Sequence, residues 1–381
     1  MTTMVTPPPV MPPAQAAMPR RRWWIPLLVV AGLISIGVIG ASFIPVPFVA
    51  YAPGDARPTS PRISVDGVKT YPVNGQVLFV TVGLPRLTAL GWLVGKLNPS
   101  KVDVFTEQQV FGSQTPSENR QENLKLMSYS KDFAAYVALK HLGYPVTVDH
   151  GGVVVQSLCL QTDANGTCTM QSPVSDKLKV NDVITAVNGT PVNVIPDLSA
   201  ILTGKQVGDP ITLSITRDGQ PITVQSQLVQ SSDGRAIVGF YPNPSPPDSI
   251  TFSFPFKVDI DSGQIGGPSA GLAFTLGLLD ALTPGSLTGG VKVAATGTIS
   301  PTGDVGEIGG VKQKTIAVMR TGAKVFLVPA SEQAEAEASA RGSNLKVVGV
   351  NTLDDALKEL ASLGGNALDL GQPGAEFKPA A

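Results

Sequence analysis

Asp259-Ile260-Asp261-Ser262-Gly263-Gln264-Ile265-Gly266-Gly267-Pro268-Ser269-Ala270-Gly271-Leu272 is the stretch on which the reading of this chain turns. Gly266, Gly267 and Pro268 make a tight turn, because glycine reaches backbone angles other residues avoid and proline fixes its own. From Ala270 the pattern becomes helical, with Leu272, Phe274, Leu276, Leu278, Leu279 and Leu282 ahead of Thr283-Pro284-Gly285. Ser269 is therefore expected at a helix N-terminus, where unpaired backbone N–H groups and the positive end of the dipole gather. Such donors can hold an oxyanion. A serine in this place, read alone, is more often an N-cap and nothing else.

A second stretch changes that weighting. Gly309-Gly310-Val311-Lys312-Gln313-Lys314 opens another helical pattern, and it carries two lysines. The only histidines, His141 and His150, lie far upstream, so a Ser-His-Asp triad is not the expected arrangement. A lysine serves as base when burial disfavours its charged form. Lys314 shares a helical row with Val311 and Val318, and Lys312 shares one with Ile316, so periodicity leaves both lysines open. A solvated helix face is the ordinary place for either. Serine plus lysine is the minimum equipment for a serine hydrolase without histidine.

Around these residues, 250–363 resemble the proteolytic domain of Lon proteases. The resemblance is carried by Gly267-Pro268-Ser269-Ala270-Gly271, by Ala295-Thr296-Gly297-Thr298-Ile299, by Gly303-Asp304-Val305-Gly306-Glu307-Ile308-Gly309-Gly310-Val311-Lys312-Gln313-Lys314, and by Gly322-Ala323-Lys324-Val325-Phe326-Leu327-Val328-Pro329. It implies Ser269 as nucleophile, Lys314 as general base and Thr296 as a residue that helps hold the lysine. Gly267, Pro268 and Ala270 are then the nucleophile turn beside the oxyanion donors. Many members of the family carry an acid three positions before the serine, where this chain has Gly266. The family also leads one to expect a homo-oligomer, a hexameric ring.

Composition and the N-terminus place the chain. With 28 basic and 29 acidic side chains the net charge is -1, which argues against a nucleic-acid partner. Residues 1–22, rich in proline, alanine and methionine, are expected to be a disordered cytoplasmic segment. Arg20-Arg21-Arg22 then precede an uncharged run, 23–44, long enough to cross a bilayer as a helix. Basic residues before a span stay cytoplasmic, so a single-pass cell-membrane protein with its bulk outside the cytoplasm is expected, with the lipid bilayer as partner. A cleaved signal peptide is the competing reading: Ala50-Tyr51-Ala52 looks like a cleavage site, but Pro53 follows and the apolar run is long.

The middle of the chain is less legible. In 45–124, taken as an extracytoplasmic segment of unassigned fold, 77–82 and 102–110 read as strands and 86–97 as an amphipathic helix. Residues 130–142 read as a helix with Phe133, Val137, Ala138 and Leu142 on one face. Residues 125–230 otherwise alternate short strands with one helix, at 196–202. A hairpin of 210–217 with 221–228 turns at Asp218-Gly219. Ser172-Pro173-Val174, Leu178-Lys179-Val180-Asn181-Asp182-Val183-Ile184 and Val187-Asn188-Gly189 resemble a PDZ domain, with Asn181 where glycine is usual. PDZ domains take extended chain ends by strand addition. Residues 231–249 read as a linker and 364–381 as a flexible tail.

Cys159 and Cys168 fit an oxidising compartment. An Asn165-Gly166 two-residue turn would set Cys168 opposite Asp163, so a bridge needs a longer loop, and bridge and free thiols both stay open. No second Cys or His pair stands at zinc-ligand spacing. The chain has no Gly-x-x-x-x-Gly-Lys-[Ser/Thr] run and no His-Glu-x-x-His, so neither a P-loop nor that metalloprotease helix is present, and no cofactor or metal is expected. The fold class expected is α+β: a transmembrane helix, a PDZ-like β-rich domain and a Lon-type α/β proteolytic domain. The whole order resembles bacterial membrane-anchored Lon-like PDZ proteases, which implies an ATP-independent serine endopeptidase acting on protein or peptide substrates outside the cytoplasm. The rival reading is a catalytically silent, membrane-tethered PDZ scaffold.

Overall fold

The computed structural model describes residues 24–376 other than 113, 150, 163–167, 232–233 and 244–249. The disordered segment expected at 1–22, His150 and the Asn165-Gly166 turn thus lie outside the described residues. Helix α1, Trp24–Ala41, is apolar throughout and buries nothing against the rest of the chain. It is long and apolar enough to cross a membrane.

Strand β1, Pro45–Pro58, then bends, pairing with three other strands along its length. Next come β2, Ile63–Asp66; β3, Gln76–Gly83; and β4, Arg86–Thr88. Thr88 caps helix α2, Ala89–Leu97, by accepting the Gly91 N–H. The helix expected over 86–97 therefore begins three residues later, because Arg86–Thr88 is drawn into pairing with β1. The strand expected over 102–110 stops early as well: β5 is Asp103–Thr106, and a Thr106–Gln109 capping box then starts α3, Glu107–Phe111. Helix α4 runs Pro116–His141, far longer than the 130–142 read from periodicity. Its start is written in sequence as a Thr115–Glu118 capping box with Pro116 in the first turn.

Strand β6, Thr147–Asp149, leads into the β-rich domain. There β7 is Val153–Ser157, β8 Cys159–Thr162, β9 Cys168–Gln171, β10 Val183–Val187, β11 Thr190–Pro191, α5 Ile195–Leu202, β12 Pro210–Arg217 and β13 Gln220–Gln227. Short pieces β14, Val229–Gln230, β15, Ala236–Ile237, and β16, Tyr241–Pro242, close it. The sheet order is β13-β12-β10-β7-β16. Asp218 and Gly219 both have positive φ, as a tight hairpin turn demands, and Asn181 takes the left-handed conformation (φ 72°) that makes glycine usual there. Cys159 and Cys168 are bridged, their Cα atoms 5.7 Å apart on the paired strands β8 and β9. The ladder of that hairpin shifts register twice, between Cys159 and Gln161 and between Gln161 and Thr162. Val238 and Phe240 are buried in this domain's core, so the domain extends past 230 into the region read as a linker.

Strand β17, Thr251–Ser253, pairs with β6 so that Thr251 faces Asp149: the chain leaves the β-rich domain beside the point where it entered. Then follow β18, Lys257–Ile260; α6, Gly271–Leu282; β19, Lys292–Ala295; the hairpin β20, Thr298–Ile299, with β21, Val305–Gly306; α7, Val311–Met319; β22, Val325–Pro329; α8, Gln333–Ser339; β23, Lys346–Val350; and α9, Leu353–Ser362.

One sheet joins the two halves, in the order β23-β22-β19-β3-β1-β4 with β5 also on β1. Strand β3 lies parallel to β19, register Gln76 to Lys292 through Phe79 to Ala295. It reads Val77-Leu78-Phe79-Val80 because both of its faces are covered. Val77 and Phe79 face a core shared with α4, α6 and α9, while Leu78 and Val80 face α7 and α8. Residues 45–149 therefore share one sheet and core with the residues after 250, and the β-rich domain is an insertion between them. The segment 125–141, expected in the β-rich domain, packs on α6 instead, since Met127, Ala134, Ala138 and Leu139 need that apolar partner. The supposed tail is also corrected: Ala367 and Leu370 are buried in the same core, and the Gly374 N–H donates to Leu142 O.

Candidate active site

Strands β1, β3 and β4 with helices α3 and α4 from the first half, and the turn before α6, β20 and α7 with its preceding loop from the second, line a cleft of about 800 Å3 that contains both Ser269 and Lys314. Ser269 lies just ahead of α6, whose N-cap is Ala270 and carries no side-chain capping bond. The capping role that a lone serine would suggest is thus not the one it plays. Leu272 to Leu279 of α6 are buried, which anchors the turn to the core.

Helix α4 holds the turn from the other side. The Gly267 N–H donates to Asn123 O (2.7 Å), Ser130 Oγ donates to Pro268 O (2.9 Å), and Arg120 reaches Gln264 Oε1 (3.0 Å). This close approach explains Gly266. A Cβ there would stand 2.9 Å from Asn123 Cβ and 3.1 Å from its carbonyl carbon, so no side chain fits. Gly267, with φ +90°, needs glycine for its backbone. Among the described residues, the backbone N–H groups of Ser269 and Ala270 donate no hydrogen bond.

Thr296 sits at the centre. Its Oγ1 donates to Ser269 O (3.1 Å) and accepts from Lys314 Nζ (3.1 Å). The Gly297 N–H also donates to Ser269 O (2.9 Å). Thr296 thus ties the backbone of one candidate to the side chain of the other. Among the described residues, no hydrogen bond joins Ser269 Oγ to Lys314 Nζ.

The two lysines that periodicity left open have opposite surroundings. Lys312 points outward to Asp103 Oδ1 (2.5 Å) and Pro99 O (3.1 Å), with Gln313 Nε2 on the other Asp103 oxygen (2.6 Å). Lys314 is 1 % exposed. Burial brings its ammonium from the ordinary 10.5 down to about 7, against a smaller opposing pull from Glu332. Glu332 is itself pushed up by burial and accepts the Ile308 N–H (3.2 Å), bracing the loop that precedes α7. Sequence reading found neither Glu332 nor the α4 clamp. Capping-box residues announced α4, but nothing local announced where it packs. His141 lines a separate surface hollow beside Asp354 and Lys358 and takes no part.

Strand β3 supplies one cleft wall. Its ladder with β19 ends at Phe79, while Val80, Thr81 and Val82 continue into the cleft. Tyr51, Phe111, Met127 and Ile308 complete a largely apolar lining.

Residues 257–362 match the sequence profile of the Lon protease C-terminal proteolytic domain, and 141–228 match that of the PDZ domain. Similar relatives include the Lon protease of Neorickettsia sennetsu, 36% identical over 93 residues, and that of Vibrio parahaemolyticus, 35% identical over 114. These alignments cover 24% and 29% of this chain but only 11% and 13% of the relatives. Among solved structures, the PDZ domain of an SdrC-like protein from Listeria monocytogenes is 20% identical, with TM-score 0.21, over 25% of this chain and 92% of that one. A solution structure from Geobacillus thermodenitrificans is 22% identical, with TM-score 0.20, over 24% and 98%.

Proposed function

We propose, for a chain that joins a Lon-type proteolytic domain to an inserted PDZ domain, that it is a membrane-anchored serine endopeptidase working without ATP. Ser269 Oγ attacks the peptide carbonyl while Lys314 Nζ takes its proton. The amine leaves with that proton, and the acyl ester on Ser269 is then hydrolysed by water that Lys314 deprotonates in turn. Thr296 is a positioning residue for Lys314. The free N–H groups of Ser269 and Ala270 are the oxyanion donors. The substrate lies extended along Val80–Thr81–Val82, adding a strand to the open edge of β3.

One observation carries this reading: Lys314 is buried with a single hydroxyl as its hydrogen-bond partner among the described residues. A buried ammonium without a bonded carboxylate is costly, and a silent scaffold gains nothing from it. A neutral amine beside a serine is what peptide hydrolysis requires. The missing P-loop supports independence from ATP, and Arg20-Arg21-Arg22 before α1 support a cytoplasmic N-terminus with the protease and PDZ domains outside. Peptide capture by the PDZ domain and a ring of copies belong to the same reading.

The test is cleavage of an unstructured fluorogenic peptide by the purified chain, with and without ATP. Ser269→Ala and Lys314→Arg should each abolish cleavage with circular dichroism unchanged, since arginine keeps the charge but cannot act as base. Lys312→Arg should retain most of the rate, and ATP should change nothing. A folded Lys314→Arg protein working near the wild-type rate would remove the proposed base.

A further inference from the structure

The chain exposes a second apolar surface that the anchor alone does not explain. On α2, Leu93, Val94 and Leu97 face outward, Leu97 at 71% exposure, and Phe43 and Ile44 at the exit of α1 are exposed beside them. The Ala89 N–H that opens α2 donates to Ile44 O (2.9 Å), so the first residue of α2 is tied to the residue leaving the anchor. Residues 42–44 span at most ~10 Å, and α2 itself is only ~14 Å long. Helix α2 therefore stays near the point where α1 leaves the bilayer. Residues 84–102 carry Arg86, Lys96 and Lys101 and no acidic residue. Trp92 packs inward against the Phe48 ring (5.9 Å) with its Nε1 buried, which leaves Leu93, Val94 and Leu97 on the outer face of α2.

We propose that α2 is a second membrane contact, lying in the headgroup layer with Leu93, Val94 and Leu97 turned into the lipid, and that it holds the Ser269 cleft against the bilayer surface. The proposal rests on the reading of α1 as an anchor. An apolar helix face flanked by lysines and lacking acids fits an anionic lipid surface. The consequence for substrate follows from continuity of the chain. Leu84 and Arg86 line the cleft and immediately precede α2, so seating α2 places that wall of the cleft at the membrane. The substrates so favoured are extended segments tethered at the membrane, such as the stretch just outside another protein's span.

The test uses the full chain in vesicles of phosphatidylcholine and phosphatidylglycerol. Cys159 and Cys168 are bridged, so a single added cysteine takes an environment-sensitive fluorophore. Labels at Leu33→Cys in α1, Leu97→Cys in α2 and Lys205→Cys in the PDZ domain are compared in lipid brominated on its acyl chains. Leu33 and Leu97 should both lose emission while Lys205 does not. Quenching at Leu33 but not Leu97 overturns the proposal and leaves the anchor standing. No quenching at either site removes the anchor reading and this inference with it. A Leu97→Cys protein that cross-links to its own copy, without quenching, assigns the face to a second subunit and also overturns it. As an activity readout, Leu93→Glu with Leu97→Glu should lose cleavage of a lipid-tethered peptide while cleaving the same peptide free in solution at the wild-type rate. Equal loss on both peptides would contradict the membrane role.

Discussion

Burial of Lys314 sets both its chemistry and its cost. A lysine whose folded pKa falls from 10.5 to about 7 is increasingly neutral above pH 7, so cleavage should rise through that range and level off beyond it. A pH–rate profile without a rise near 7 would separate Lys314 from the chemistry. The stability consequence has a definite sign. Between about 7 and 10.5 the unfolded chain binds more protons at this site than the folded one, so the penalty is full below that window and fades as pH climbs through it. Lys314→Met should therefore be inactive yet melt at a higher temperature than wild type at pH 7, and the difference should shrink by pH 10. Equal melting temperatures at pH 7 would mean that the lysine is solvated. Such an exchange of stability for activity is common where a site holds a strained or desolvated group.

Helices α4 and α6 form the frame of the nucleophile turn. Because Ser130 Oγ holds Pro268 O, Ser130→Ala should shift Ser269 and lower kcat by about 10- to 100-fold, with stability falling by only ~1 kcal/mol. Steady-state kinetics beside a denaturant titration separates the two effects, and an unchanged kcat would mean that α6 alone sets the turn. Further along α6, Asp280 is buried with one backbone donor, Leu287 N–H (3.1 Å), and burial raises its carboxyl from 3.8 to about 6. The folded chain then binds the extra proton between those values, so wild-type stability falls as pH rises through 4 to 6. Asp280→Asn keeps the acceptor and removes the charge. It should be more stable at pH 7 by up to ~3 kcal/mol and lack that slope. Thermal melts across pH 4 to 8 check this.

The whole molecule is a proteolytic fold interrupted by a PDZ domain through one pair of antiparallel strands. Since Thr251 faces Asp149 across that stem, a two-residue Asn-Gly turn should bridge them in place of 150–250. The shortened protein should fold and cleave short unstructured peptides, because every residue of the candidate site lies outside the insertion. It should cleave a protein substrate that depends on PDZ capture more slowly than the full chain. Loss of short-peptide cleavage by a folded, shortened protein would show that the PDZ domain completes the site or its assembly. Equal rates on every substrate would leave the insertion without a recognition role.

What could be read from the linear order was what short-range physics decides. The uncharged run of α1, the turn ahead of α6 and the Asp218-Gly219 hairpin each depend on neighbours a few residues apart, and each stands where patterning places it. The Thr115–Glu118 capping box was equally local and shows that periodicity was the wrong guide to the start of α4. Three matters had no local signature. Strand β3 joins β19 across more than half the chain, and a continuous apolar run such as Val77-Leu78-Phe79-Val80 does not name its partner. Gly266 looks like a departure until Asn123 is seen to fill the space beside it. Lys312 and Lys314 sit on one short helix, and in the sequence only the resemblance favours the second. The fold then gives Lys312 to Asp103 and closes the core over Lys314, because desolvation depends on what packs above a side chain and not on its place in the sequence.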